Sequence, residues 1–135
     1  MLNTVLCVDD DPITLMLCKK VIIKAEFAQN IITAENGKLA LALLEDIKSS
    51  GSEDFPQLVF LDLNMPVMNG WDFLDEFVKN APQYNHPKVI ILSSTIDPTD
   101  HQRAEKYEVV SRFMPKPITV EMLNELKSEL KLNLS

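Results

Sequence analysis

The chain has 135 residues, 46% of them hydrophobic and 24% charged, the balance of an ordinary globular protein, and the length predicts one domain with a sizeable core. Lys and Arg total 13 against 20 Asp and Glu, a net charge of -7, which argues against a nucleic-acid partner because such binding needs a clustered basic face. The opening Met1-Leu2-Asn3-Thr4 lacks the basic and apolar regions of a signal peptide, and no apolar run approaches the ~20 residues of a membrane span, so a cytoplasmic protein with no membrane partner is expected.

In chain order, Thr4-Val5-Leu6-Cys7-Val8 reads as a short buried strand that delivers Asp9-Asp10-Asp11 to its carboxyl end. Asp11 precedes Pro12, a favoured first helical residue, so helix capping accounts for Asp11 as well as any chemistry does. Asp9 and Asp10 have no such explanation. From Pro12 to about Phe27, the residues Ile13, Met16, Leu17, Val21, Ile23 and Phe27 recur mostly at helical spacing, with Lys19, Lys20 and Lys24 between them. That pattern predicts a helix with one buried side. Cys7 in the strand and Cys18 in this helix lack metal-type spacing, which predicts two buried, reduced thiols.

Ile31-Ile32-Thr33 predicts a short second strand, and Asn36-Gly37 precedes a periodic helix through Leu39, Leu43, Leu44 and Ile47. The polar connector Ser49-Ser50-Gly51-Ser52-Glu53-Asp54 follows. Leu58-Val59-Phe60-Leu61 is an unbroken apolar run of the kind buried on both faces of a parallel sheet. It ends on Asp62 and enters a loop holding Pro66 and Gly70.

Trp71, Leu74, Phe77 and Val78 then fall at three- and four-residue steps among Asp72, Asp75 and Glu76, predicting a third helix. A polar loop from Asn80 to Pro87 leads to Val89-Ile90-Ile91-Leu92, a second buried-type strand ending on Ser93-Ser94-Thr95. Asp97 before Pro98 marks a fourth helix running to roughly Lys106. Arg112-Phe113-Met114 is a short last strand ending on Pro115-Lys116-Pro117, and Thr119 caps a final helix with Met122, Leu123, Leu126 and Leu130 on one face. His86 and His101 have no partner ligand at suitable spacing and read as solvated surface residues.

Strands alternating with helices five times predict an α/β fold with a parallel sheet, helices on both faces and right-handed crossovers. Four strands end in something polar, namely Asp9-Asp10, Asp62, Ser93 and Lys116. The carboxyl edge of an open parallel sheet is where ligands bind. Two carboxylates ~4 Å apart repel by roughly 4 kcal/mol at an effective dielectric near 20, so acids gathered there invite protonation or a cation. Oxygen-only donors suit Mg²⁺.

These residues closely resemble the receiver domain of two-component response regulators over nearly the whole chain. The resemblance rests on Val8-Asp9-Asp10, on Leu61-Asp62 with Met65-Pro66 and Gly70, on Leu92-Ser93-Ser94, and on Phe113 followed by Lys116-Pro117. It implies a flavodoxin-like, five-stranded parallel sheet of order 2-1-3-4-5, as in the family's chemotaxis regulator. It also implies that Asp62 is the phosphoacceptor and that Asp9, Asp10 and Asp62 hold Mg²⁺ with the backbone carbonyl of Asn64. Ser93 and Lys116 are implied to contact the phosphoryl group, Ser93 and Phe113 to form a conformational switch, and Asn64 and Thr95 to tune phosphoryl lifetime.

The same resemblance implies a single receiver domain without an output domain, phosphorylated by a histidine kinase or phosphotransfer protein and acting on a downstream partner protein. Such a protein is not a turnover enzyme, although it promotes its own phosphorylation and dephosphorylation. Ile13, Thr14 and Leu17, with the loop at Pro117-Ile118, form the expected kinase-docking surface. Lys116-Pro117 is a candidate cis peptide, since X-Pro bonds adopt cis at modest cost. The family often carries Gly-Ala shortly before the last strand, where this chain has Val109-Val110, so the fourth helix is expected to end differently.

Three other readings compete. A phosphatase of the haloacid-dehalogenase type also uses a strand-end Asp, but its acid/base Asp two positions later is Asn64 here, which cannot transfer protons. A flavin or nucleotide binder needs a Gly- or hydroxyl-rich anion cradle after the first strand, the opposite of Asp9-Asp10-Asp11. A receiver-like interaction module that works without phosphorylation is disfavoured, though not excluded, by the intact set of Asp10, Asp62, Ser93 and Lys116.

Overall fold

The computed structural model describes residues 2–65, 67–94 and 97–134, with side chains described to residue 129. Pro66, Thr95 and the Leu130 side chain, all named above, lie outside what is described. The elements run β1 (Leu2–Val8), α1 (Pro12–Lys24), β2 (Ala28–Ala34), α2 (Gly37–Ser49), β3 (Leu58–Asp62), α3 (Gly70–Asn80), β4 (Lys88–Ser93), α4 (Pro98–Ala104), β5 (Val110–Pro115) and α5 (Val120–Leu134). A 3-10 turn, Ala81–Tyr84, joins α3 to β4. The strands pair in parallel in the order β2-β1-β3-β4-β5, the arrangement the resemblance implies.

β3 lies at the centre, and all five of its residues are buried. Alternate side chains of a strand point to opposite faces. Accordingly, Val59 and Leu61 join Leu44 of α2, Leu74 and Phe77 of α3 and Ala104 of α4 in one core, while Leu58 and Phe60 join Cys18 and Ile22 of α1 and Leu123 and Leu126 of α5 in the other. Full burial of each large aliphatic or aromatic side chain is worth about 1.5–3 kcal/mol. This is why the β3 and β4 runs contain no polar residue before their tips. Parallel register opposes Val8 to Leu61, Asp62 to Leu92 and Ser93 to Pro115, so residues at the ends of β1, β3, β4 and β5 share one edge.

Several local expectations are corrected. In α1 the buried residues are Leu15, Cys18 and Ile22, whereas Ile13, Met16, Leu17 and Ile23 are exposed. The expected apolar side, continued one turn along, runs into Lys20 and Lys24. The stripe through Leu15, Cys18, Ile22 and Ala25 carries no charge, and that stripe faces the sheet. The helix also stops at Lys24, where Glu26 adopts a φ of 52° and sends Phe27 into the core from outside the helix.

In α2 the buried contacts are Ala40 and Leu44 rather than Leu39, which is exposed. In α3 Phe73 is buried and Val78 is exposed. The expected polar loop at residues 80–87 contains Ala81 and Tyr84, both buried, and the Tyr84 hydroxyl donates to Glu45 Oε1 at 2.5 Å. β2 and β5 extend beyond the short apolar runs that predict them, because a neighbouring strand supplies ladder partners even to polar residues such as Asn30. His101 is not a freely solvated side chain: its ring stacks on Phe113 with centroids 4.0 Å apart.

Other expectations hold. Asp11 caps α1, accepting hydrogen bonds from the Ile13 N–H and the Thr14 hydroxyl at 3.0 Å each. Asp97 caps α4 and Thr119 accepts from the Met122 N–H. Cys7 and Cys18 are free and buried. Burial pushes both thiols up, Cys18 to about 11, which leaves them unreactive. α4 stops at Ala104, short of the expected end near Lys106, and Val109 accepts a hydrogen bond from the Val89 N–H beside a register shift between β4 and β5. Among the described residues no helix is long and apolar enough to cross a membrane.

Candidate functional site

Each site residue stands where a strand runs out. Asp9 follows β1, Asp62 ends β3, Ser93 ends β4, and Lys116 follows β5. Asp9, Asp62 and Ser93 are buried, while Asp10 and Asn64 are exposed. One carboxylate oxygen from each of Asp9, Asp10 and Asp62 can be chosen so that all lie within 4.8 Å of one another. The Lys116 ammonium reaches into this group, donating to Asp9 Oδ2 at 2.6 Å and lying 3.2 Å from Asp62 Oδ1.

Local backbone structure fixes the acids. Asp9 Oδ1 accepts from the Asp11 N–H at 3.0 Å, and the Asp9 N–H itself bonds to the Ala34 carbonyl at the end of β2. Asp62 Oδ1 receives the Asn64 N–H at a longer 3.4 Å. Beyond it, the Gly70 N–H returns to the Leu63 carbonyl at 2.9 Å, so α3 begins directly against the end of β3. A Cβ at Gly70 would sit 2.8 Å from both the Asp62 carbonyl oxygen and Leu63 Cα. The close backbone approach therefore requires glycine. Lys116 is held the same way, its N–H bonded to the Ser93 carbonyl at 2.9 Å, and the following Lys116-Pro117 peptide is cis.

Burial is the main influence on Asp62 and raises its pKa above the ordinary 3.8. Lys116 opposes that shift, Asp9 adds to it, and the Asn64 N–H works against it. For Lys116, burial alone lowers the pKa, but the hydrogen bond to Asp9 and the charges of Asp62 and Asp9 outweigh it, and the ammonium ends above the ordinary 10.5. The lysine is therefore held charged between two acids. The residues also fit a hard divalent cation, because three carboxylates from two strand ends converge as oxygen donors and Asp10 keeps one side open to solvent.

The structure thus brings together Asp9, Asp10, Asp62 and Lys116, with Ser93 at the neighbouring strand tip. Phe113 lies on β5, is partly exposed and packs under His101 of α4. Of the expected docking residues, Ile13 and Leu17 are exposed and Pro117 is exposed, but Ile118 is buried in the α1/α5 core. Sequence reasoning placed Trp71 in the third helix but missed its pairing with Arg103 of α4. The wide spacing between them left no local signal.

Comparison with known proteins agrees with this geometry. Residues 5–127 match the model of the response regulator receiver domain family. The chain belongs to that family. It is 28% identical over 127 residues to the probable methanogenesis regulatory protein FilR2 of Methanothrix harundinacea, covering 94% of this chain and 80% of that protein. It is 30% identical over 121 residues to a probable cyclic di-GMP phosphodiesterase of Vibrio cholerae, and covers only 24% of that longer protein. A crystal structure of a two-component response regulator from Cytophaga hutchinsonii superposes with a TM-score of 0.87 at 32% identity, covering 98% of both chains.

Proposed function

We propose that this receiver accepts a phosphoryl group on Asp62 from a histidine kinase or phosphotransfer protein and passes the signal to a partner protein. The observation that carries the proposal is Lys116, at the end of β5, held charged against both Asp9 and Asp62 at the ends of β1 and β3. An Asp62 carboxylate oxygen forms the new bond to phosphorus as the bond from phosphorus to the donor atom breaks, and the electron pair leaves with the donor. In-line transfer of this kind depends on positioning and charge more than on covalent help from the protein. The hydrogen bonds that seat Asp9 and Lys116 provide the positioning.

Asp9, Asp10 and Asp62, with the Asn64 carbonyl, are the groups that would hold Mg²⁺, whose charge when bound offsets the repulsion between the acids and an anionic donor. Lys116 contributes a compact positive charge of its own. The Ser93 hydroxyl contacts the phosphoryl oxygens, and with Phe113 it forms the element whose two arrangements carry the output. Asn64, exposed at the mouth of the site, tunes the lifetime of the modified state. The outward apolar side chains Ile13, Met16 and Leu17 at the start of α1 supply the donor's docking surface.

The test is exposure to a small acyl phosphate with Mg²⁺, followed by intact-mass measurement. Wild type gains one phosphoryl group and Asp62→Asn gains none. An interaction module independent of phosphorylation leaves the mass unchanged, and a phosphatase consumes the donor continuously.

A further inference from the structure

α4 has seven residues, and among them only Ala104 is buried. A helix that places so little apolar surface in the core must be held by other contacts. Two stacks supply them. On one side the His101 ring lies on Phe113 of β5, with centroids 4.0 Å apart and planes inclined at 27°. On the other, the Arg103 guanidinium carbon sits 4.4 Å from the centre of the Trp71 ring of α3. Trp71 also stacks on Tyr107, just beyond α4, at 5.9 Å, and the Tyr107 hydroxyl donates to Asp75 of α3 at 2.7 Å.

Both platforms are referenced to the acidic site. Trp71 follows Gly70, whose backbone is pressed against Asp62 and Leu63. Phe113 lies on β5, whose partner β4 ends at Ser93, and the next lysine on that strand's exit is Lys116. A shift at either strand tip therefore changes the footing of one stack. Among the described residues, the helix between them places only Ala104 in the core to resist being moved.

We propose that α4 is a latch clamped at two points, by Arg103 on Trp71 and by His101 on Phe113, and that the Arg103–Trp71 contact sets how readily the helix leaves its seat when Asp62 is phosphorylated. The inference rests on the phosphorylation of Asp62 proposed above. A guanidinium over an indole at a partly exposed site is worth about 0.5–1 kcal/mol, equivalent to roughly a two- to five-fold change in the latch equilibrium. Linkage makes the effect reciprocal: whatever frees the latch also favours the modification that frees it.

The chain has a single tryptophan, so fluorescence reads this contact directly. Wild type, Arg103→Met, His101→Ala and Asp62→Asn are titrated with acyl phosphate and Mg²⁺, recording Trp71 quenching by acrylamide and intact mass on the same samples. Arg103 is exposed, and Met keeps the stem that packs on the indole while removing the charge. The expected result is that phosphorylated wild type shows increased quenching, because Trp71 loses its cover. Arg103→Met and His101→Ala show part of that increase before any donor is added, and Arg103→Met reaches half-modification at about one half to one fifth of the wild-type donor concentration. Asp62→Asn responds to donor in neither signal. A wild type that gains mass while Trp71 quenching stays constant overturns the latch alone, as does an Arg103→Met variant with wild-type donor dependence. A wild type that gains no mass overturns the phosphorylation reading and the latch with it.

Discussion

Lys116 lies 2.6 Å from Asp9 and 3.2 Å from Asp62, although 107 residues separate the first pair in sequence. The lysine therefore serves both as a constituent of the site and as a tie between the ends of β1, β3 and β5. Its side chain is 17% exposed and those of the two acids 7%, so the group is shielded enough for its charges to matter to folding.

Lys116→Ala leaves two mostly buried carboxylates without their cation. Removing one member of a buried ion pair costs about 3–5 kcal/mol. The expected result is a loss near the lower end of that range, read as a lower urea midpoint with an unchanged slope, because solvent on the open side, where Asp10 is exposed, screens part of the repulsion. Added Mg²⁺ recovers some of the loss.

Asp62→Asn has the opposite effect on folding at neutral pH. The Asp62 pKa is raised in the folded protein, mainly by burial. The folded state thus binds the proton more tightly than the unfolded chain, and its contribution is fully stabilising below the ordinary pKa of 3.8 and is lost as pH rises through the folded value. In the presence of a chelator, Asp62→Asn is therefore more stable than wild type at pH 7, and the difference vanishes below pH 3.8. Denaturant midpoints across that range check the sign.

If Mg²⁺ is held by the three acids as proposed, it is expected to stabilise the wild type by mass action, by about 2.7 kcal/mol at a hundred-fold excess over its dissociation constant. Asp10→Asn removes an exposed donor without disturbing the core, so its stability in chelator stays within about 0.5 kcal/mol of wild type. It loses most of the Mg²⁺-dependent gain. Thermal unfolding with and without the ion measures both quantities.

Gly70→Ala tests how closely α3 is seated against the end of β3 at Asp62. At this first helical position alanine gains only a fraction of the about 1 kcal/mol that separates it from glycine in a helix interior, and its Cβ would meet backbone atoms at 2.8 Å, which cannot move aside as a flexible side chain can. Overpacking of this kind costs about 1–3 kcal/mol. A net destabilisation, with slower modification of Asp62 by acyl phosphate, is the expected outcome.

The strand tips were legible in the sequence because their logic is local. A buried apolar run that ends in Asp9, Asp62 or Ser93 announces both the strand and the polar residue at its edge, and parallel pairing then collects the tips. The caps at Asp11, Asp97 and Thr119 were legible for the same reason. The buried face of α1 was harder to read, since Ile13, Met16, Leu17 and Ile23 are as apolar as Leu15, Cys18 and Ile22. Only the lysines interrupting the first stripe separate them. Tyr84 was obscured by its polar neighbours Gln83 and Asn85. The stack of Arg103 on Trp71 joins helices with a strand between them, and that of His101 on Phe113 joins a helix to the strand after it; a period read within one element reaches across neither gap.

Whether Asp62 carries the phosphoryl group is read by trapping the modified protein with borohydride and mapping the reduced residue by peptide mass spectrometry. Reduction converts an aspartyl phosphate to homoserine. Homoserine is expected at position 62, dependent on both acyl phosphate and Mg²⁺, as the proposed role of Asp62 requires. Reduction at Asp9, Asp10 or Asp11 with position 62 unchanged, or no reduced residue in protein that has gained a phosphoryl mass, would contradict it.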